Sequence, residues 1–262
     1  MMKALNIAAT GMMAQETNVS VISNNIANMR TTGFKRQRAD FQDLFYQNLR
    51  RQGSQTSDAG TVVPAGVQVG SGVRVVATPR IMSQGDIERT DKEYDVAVRG
   101  EGYFSIQMPD GRTAYTRDGG FELDATGTLV TEDGYTVAPG IVVPVNARDI
   151  TISQIGVVQA TVGNDTTPTV LGQIQLSRFV NKAGLEAIGD NLFLETAASG
   201  PAQTANPGDE SYGTLLQNHL EMANVVPVSE LSALIAAQRA YEMNSRIIRA
   251  ADEMLSATAQ LS

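Results

Sequence analysis

Two stretches at opposite ends of this chain repeat their apolar residues every seven positions, and the sequence between them does not. Leu5, Met12, Val19 and Ile26 form one row. Ala8, Gln15, Ile22 and Met29 form the row three places on, within a stretch from Lys3 to about Thr32. Near the other end, Leu234, Tyr241, Ile248 and Leu255 form a matching row, accompanied by Ala237, Asn244, Ala251 and Thr258. A seven-residue period keeps one apolar stripe on a helix, and that stripe is best covered by a second helix. The second helix is expected from about Val228 to Gln260, with Pro227 at a place where a helix start tolerates proline. At about 1.5 Å per residue each helix would be roughly 45–50 Å long. Gln15 and Asn244 put one polar residue in each seam, which costs stability but fixes register. Two amphipathic helices on an ordinary core would produce much the same spacing.

The first helix is a poor one by composition. Thr10, Gly11, Thr17, Asn18, Ser20, Ser23, Asn24, Asn25 and Asn28 are all weak helix formers, so the segment needs a partner to stay ordered. The middle of the chain, from about Val67 to Phe193, alternates in short runs broken by turn residues and reads as all-β. Asp110-Gly111 and Asp133-Gly134 are strong hairpin dipeptides. Residues 47–66 have neither helical nor strand period and read as loop or extended chain, as do residues 197–213. The expected fold class is therefore α+β, with N- and C-terminal helices pairing as a coiled-coil-like domain and a central all-β domain inserted between them. The expected boundaries are 1–34 with 225–262 for the helical domain, 35–72 with 197–224 for an extended linker region, and 73–196 for the β-rich domain.

Chemistry is hard to find. The chain has no Cys and one His, His219, which removes thiol chemistry and any site built on two histidines. Gly70-Ser71-Gly72 and Gly100-Glu101-Gly102 lack the third glycine of a dinucleotide loop and read as strand-end turns. Aromatics make up only 5% of the chain, so an aromatic-lined pocket is not expected. No enzyme activity, cofactor or metal is expected, although a carboxylate pair acting on cell-wall glycan would leave no sequence signature in a β domain. The net charge of −8 argues against nucleic-acid binding. It is unevenly spread: residues 1–52 carry roughly +4 and the rest about −12. Unlike surfaces of that kind suit head-to-tail contact between copies, or simply a solvated exterior. No apolar run is long enough to span a membrane, and the N-terminus lacks the core of a cleaved leader.

The run from Asn18 to Asn28, containing Asn24, Asn25, Ala27 and Asn28, is followed by Thr32-Gly33-Phe34-Lys35. It resembles the N-terminal signature of the axial proteins of the bacterial flagellum, the family of rod and hook subunits. Ala237-Gln238-Arg239-Ala240-Tyr241-Glu242-Met243-Asn244-Ser245 resembles that family's C-terminal signature. The middle is similar too, in Asp95–Val98, Gly100–Phe104, Tyr115–Gly119 and Gly127–Val130. Within the family, Phe41–Arg50 and Gly70–Thr78 resemble the distal-rod branch. Gln217-Asn218-His219 departs from it, where relatives commonly carry glycine and an aromatic, as does Met222-Ala223.

The resemblance implies a structural subunit that polymerises with itself into a rigid hollow shaft of the basal body, crossing the periplasm. It implies proximal-rod and hook proteins as axial neighbours, P- and L-ring proteins as a bushing, and export by the flagellar type III apparatus. It implies a bracing role for Gln47–Gly66, and no nucleic-acid or small-molecule partner. A proximal-rod or hook protein is the alternative within the family.

Overall fold

A computed structural model describes residues 2–53, 64–163 and 167–260, apart from the side chains of Thr258 and Gln260. The chain is an α+β protein made of two compact units. One comprises residues 1–27, 37–79 and 226–262, and the other residues 28–36 and 80–225.

The first unit contains two long helices, α1 (Met2–Ala27) and α2 (Pro227–Gln260), which pack against each other. The weak formers of α1 are accommodated in part because hydroxyls bond back to their own helix: Thr10 Oγ1 donates to Ile7 O, Thr17 Oγ1 to Met13 O, and Ser20 Oγ to Glu16 O. Proline opens α2, where its missing N–H is not needed. The helix expected to reach about Thr32 ends at Ala27. Asn28 starts a turn there, its carbonyl accepting from Thr31 N–H and its side-chain oxygen from Thr31 Oγ1.

Two antiparallel strand pairs complete this unit: Asp40–Asp43 with Val73–Ala77, and Tyr46–Arg50 with Val67–Gly70. Residues 47–50 are thus strand rather than loop. They carry no period because every side chain from Tyr46 to Arg50 is exposed, so neither face selects for apolar residues. Of the rest of the expected loop, residues 51–53 and 64–66 are turn or irregular, and residues 54–63 lie outside the described residues.

The second unit is β-rich. Its largest sheet among the described residues runs Glu186–Gly189, Leu192–Leu194, Thr113–Thr116, Tyr103–Gln107, Thr136–Val137, Leu129–Thr131, Phe121–Leu123. Leu176–Arg178 also pairs with Tyr103–Gln107 and carries Gln203–Ala205 on its other side. A three-stranded sheet (Ala147–Ile152, Val157–Val162, Thr169–Gln173) and two short pairs complete it. Those pairs join Val96–Arg99 to Thr214–Gln217 and Ile87–Arg89 to His219–Glu221. The Asp110-Gly111 and Asp133-Gly134 turns close tight hairpins as expected, each glycine at positive φ.

Ile141–Val145, which alternates like a strand, is irregular apart from a bridge between Val142 and Thr128. Its alternation comes instead from Ile141 and Val143 pointing into the core while Val142 and Val145 face outward. That core gathers Val96, Val98, Phe104, Ile106, Phe121, Leu129, Val158, Ile174 and Leu176, all nearly or wholly inaccessible.

Candidate assembly site

In the helical unit, the rows expected to form the seam are unequally covered. On α2, Ala237 and Ala251 are buried and Leu234, Asn244, Ile248 and Leu255 half-buried. Tyr241 is 44% exposed. On α1, Leu5, Met12, Val19 and Ile26 are half-buried, while the buried positions are Ala8, Ala14, Val21, Ile22 and Asn25. Ala14, Val21 and Asn25 lie off the expected rows. The physical reason is that α1 has two neighbours, α2 and the strand Val73–Ala77, so its covered face is wider than one seam. Val73 N–H reaches Thr10 Oγ1 at 3.4 Å on that second side. Met29 is no part of a helix seam: it sits in the turn past the helix end and is 37% exposed. The seam position Thr258 lies outside the described side chains.

Each signature motif places a residue against the other helix within this unit. Gly11 of α1 faces Asn244 of α2 so closely that a Cβ on residue 11 would stand 2.8 Å from the Asn244 amide nitrogen. A glycine that costs helix propensity is thus used for close approach. Gln15, the other polar seam residue, accepts from Asn18 on its own helix at 3.4 Å.

Asn25 is 1% exposed and fully engaged. Its Oδ1 accepts from Gln37 N–H, and its Nδ2 donates to Gln37 O (both 2.8 Å) and to Glu230 Oε2 at 3.2 Å. Glu230 lies in the first turn of α2, where a carboxylate suits the helix dipole. One buried amide therefore ties the end of α1, the following extended segment and the start of α2. Periodicity could not reveal this, since Asn25 reads as a poor helix former. Among the other motif residues, Asn24, Ala27, Gln238, Arg239 and Glu242 are exposed, and Asn28, Ala240 and Ser245 are half-buried.

The remaining motif residues, Gly33, Phe34 and Lys35, belong to the β-rich unit. Gly33 has φ +66°, and a Cβ there would meet Asp118 N at 2.6 Å, so only glycine fits. Its N–H donates to Glu221 O at 2.7 Å. Lys35 is wholly buried. It pairs with Glu221 Oε1 and donates to Ser83 O at 2.9 Å, and Glu221 Oε1 also accepts from Gly85 N–H at 2.9 Å. Arg117 Nε lies 3.4 Å from Glu221 Oε2, an ion-pair contact without hydrogen-bond geometry. Arg117 Nη1 donates to Gly102 O at 2.8 Å and Nη2 to Gly100 O at 2.6 Å. Loss of hydration pushes the Lys35 pKa down, and the neighbouring Glu221 only partly offsets this. Lys35 is thus an internal anchor, while Arg38 three residues on is exposed and pairs with Asp40 at 2.9 Å.

The departures at residues 217–219 are also explained here. Asn218 has φ +59°, a conformation glycine adopts readily and asparagine tolerates. Gln217 fills its surroundings with amide bonds to Ile152 N–H, Glu93 O and Ile150 O, all 2.9 Å. His219 is half-buried on a strand, with Nδ1 2.7 Å from Gln217 O. No group of His, Asp and Glu able to hold a metal ion occurs among the described residues.

What these units have in surplus is uncovered apolar surface on the helical one. Val228, Leu231, Ile235, Met243, Ile247 and Met254 are exposed along α2, and Met2, Ile7 and Met13 along α1. Phe45 is 91% exposed beside Tyr46, Leu49 and Val67.

Comparison with known proteins gives the family. Three family profiles match in succession: "Flagella basal body rod protein" over residues 5–35, "Flagellar hook protein FlgE/F/G D1 domain" over 97–160, and "Flagellar basal body rod FlgEFG protein C-terminal" over 216–261. The chain is 58% identical to the flagellar basal-body rod protein FlgG of Caulobacter vibrioides, with 99% of both chains covered. It is 51% identical to that of Agrobacterium fabrum and 39% identical to that of Bacillus subtilis, each with 97% of both chains covered. Full-length similarity of this order, on a chain whose signature residues tie its two helices together and whose helices leave apolar surface uncovered, places it in the FlgG family of flagellar basal-body rod proteins, structural components of the flagellar basal body.

Proposed function

We propose that this chain is a subunit of the distal rod, and that it polymerises with many copies of itself into a rigid hollow shaft carrying torque from the proximal rod to the hook. In this reading residues 1–34 and 225–262 form the polymer core, with α1 and α2 paired in coiled-coil fashion. The seam is Leu5, Met12, Val19, Ile22 and Ile26 against Leu234, Tyr241, Asn244, Ile248 and Leu255. Residues 73–196 face outward, and 35–72 with 197–224 connect them. The P- and L-ring proteins surround the shaft as a bushing, and subunits arrive through the flagellar type III export apparatus. Neither nucleic acid nor a small-molecule substrate takes part.

The observation that carries the proposal is the row of exposed apolar side chains along α2. A soluble monomer gains nothing from such a row, whereas a polymer covers it. Tyr241, half-exposed in the single chain, is then covered by a neighbouring copy. The purified protein should form straight hollow filaments visible by electron microscopy. Deleting residues 47–66 should leave filaments that bend, if that stretch braces neighbours. Absence of filaments under all conditions would refute the assembly reading, and deletion filaments as straight as the parent would place the brace elsewhere.

A further inference from the structure

The chain passes between its two units four times, after Ala27, Arg36, Pro79 and Val225. Within the β-rich unit, residues next to three of those passages are tied together by one side chain. Asn224 Oδ1 accepts from Arg36 N–H at 2.7 Å. Asn224 Nδ2 donates to Ile81 O at 2.7 Å and to Ser83 O at 3.0 Å. The backbone repeats the pattern, with Ile81 N–H donating to Arg36 O at 2.9 Å and Asn224 N–H to Phe34 O at 3.4 Å. One layer deeper, Lys35 and Glu221 join the same three segments through Ser83 O and Gly85 N–H. Each chain segment is thus bonded twice, once by an amide near the surface and once by a buried ion pair.

We propose that Asn224, backed by the Lys35–Glu221 pair, is a clasp that pre-positions the two terminal helices for pairing. Along the covalent chain, α1 and α2 are separated by roughly 200 residues. Through the clasp, the separation is the residues from Ala27 to Arg36 and from Asn224 to Pro227. Loop-closure entropy grows with the logarithm of length. Shortening the effective tether from about 200 residues to about 10 therefore raises the local concentration of one helix for the other on the order of 100-fold. The β fold supplies part of this by itself, and the clasp supplies the part that depends on the three segments being bonded to one another. A helix as poor in propensity as α1 benefits most from such positioning, because it holds its fold only when a partner is at hand. The inference rests on the pairing of α1 with α2 and not on polymerisation.

The chain contains no cysteine, so an introduced pair reports alone. Gly11→Cys with Asn244→Cys places two thiols where the helices approach closely. The effective concentration of one thiol for the other is read against glutathione in the verified monomer, with and without Asn224→Ala. Circular dichroism and a thermal melt follow the β-rich unit in the same samples. The clasp requires at least a tenfold fall in effective concentration with Asn224→Ala while the β melt persists. Asn224→Asp, which keeps the acceptor for Arg36 N–H and loses the bonds donated to Ile81 O, Ser83 O and Ser83 Oγ, should fall between the two. An unchanged effective concentration in the Ala variant overturns the proposal. Loss of the β fold in that variant overturns it as well, since Asn224 would then be part of the fold and not a tie across its exits. Filament formation is scored separately, so failure of the clasp is distinguishable from failure of the assembly reading.

Discussion

The helical unit and the β-rich unit solve opposite problems. In the β-rich unit, apolar residues from non-adjacent strands converge on a closed core, and Phe104 meets Phe121 edge-to-face at 5.0 Å between ring centres. In the helical unit, the residues buried on the two helices are mostly small or polar: Ala8, Ala14, Asn25, Glu230, Ala237 and Ala251. Apart from Val21 and Ile22, the larger apolar side chains of the two helices are half-covered or exposed. Small residues let backbones approach, and the proposed assembly would cover the long ones that face outward. The difference teaches that burial within one chain is a measure of what that chain completes alone. The β-rich unit has a finished core, although it leaves Val145 and Val180 exposed, and the helical unit buries few large apolar side chains by itself.

The sharpest way to break this comparison is a charge in the helical unit. Ile26→Asp or Ile248→Asp should abolish filaments outright, because a charge without a partner in a seam costs several kcal/mol once the seam closes. Circular dichroism of the same variants should still report β structure, and normal filaments would show that the seam lies elsewhere.

A cavity in the finished unit should act the other way. Phe104→Ala is expected to destabilise the β-rich unit by about 3–5 kcal/mol, measured as a shift in urea midpoint, because Phe104 is wholly buried. A loss below about 1 kcal/mol would mean that this core is loosely packed.

A smaller effect is expected from alkali. Burial pushes the Tyr103 phenol up to about 12. The folded state therefore favours the neutral phenol more than the unfolded state does. Stability is fully present below the ordinary tyrosine value near 10 and is lost as the pH rises from there towards about 12. The loss is on the order of 3 kcal/mol, at about 1.36 kcal/mol per unit. Tyr103→Phe should flatten that part of the stability curve, and an equal slope in parent and variant would exclude Tyr103 as its cause.

The smallest effect is expected at Met29, which shares the heptad row of Ile22 but sits past the helix end. Met29→Ser should change stability by less than about 0.5 kcal/mol. A cost comparable to that of Ile26→Asp would restore Met29 to the seam.

Much of the β fold is legible in local chemistry. Val73–Ala77, Thr113–Thr116, Phe121–Leu123, Leu129–Thr131, Val157–Val162 and Leu192–Leu194 begin and end where alternation and turn residues place them. Other strands escape that reading. Val96–Arg99 is buried on both faces for three of its four residues, so it shows no alternation. Tyr46–Arg50 is exposed on both faces and shows none either. Of the candidate site, the heptad rows and the terminal motifs are readable. The partners of Asn25, Lys35 and Asn224 are not, because they sit far away in sequence and leave no periodic trace.

The sequence by itself determined that two amphipathic ends flank an all-β middle, and that a protein without cysteine and with one histidine is poorly equipped for catalysis. Its motifs also carried the likeness to flagellar axial proteins. These are local or compositional properties, set by spacing and residue type. Only the tertiary structure decided that α1 stops at Ala27, and that residues 28–36 are gathered into the β-rich unit. It alone decided that the basic residue Lys35 turns inward to Glu221 and that Gly11 makes room for Asn244. Each of those outcomes depends on a close approach between segments distant in the chain. There, one backbone hydrogen bond, one buried charge or one missing Cβ outweighs the weak preference of the local sequence.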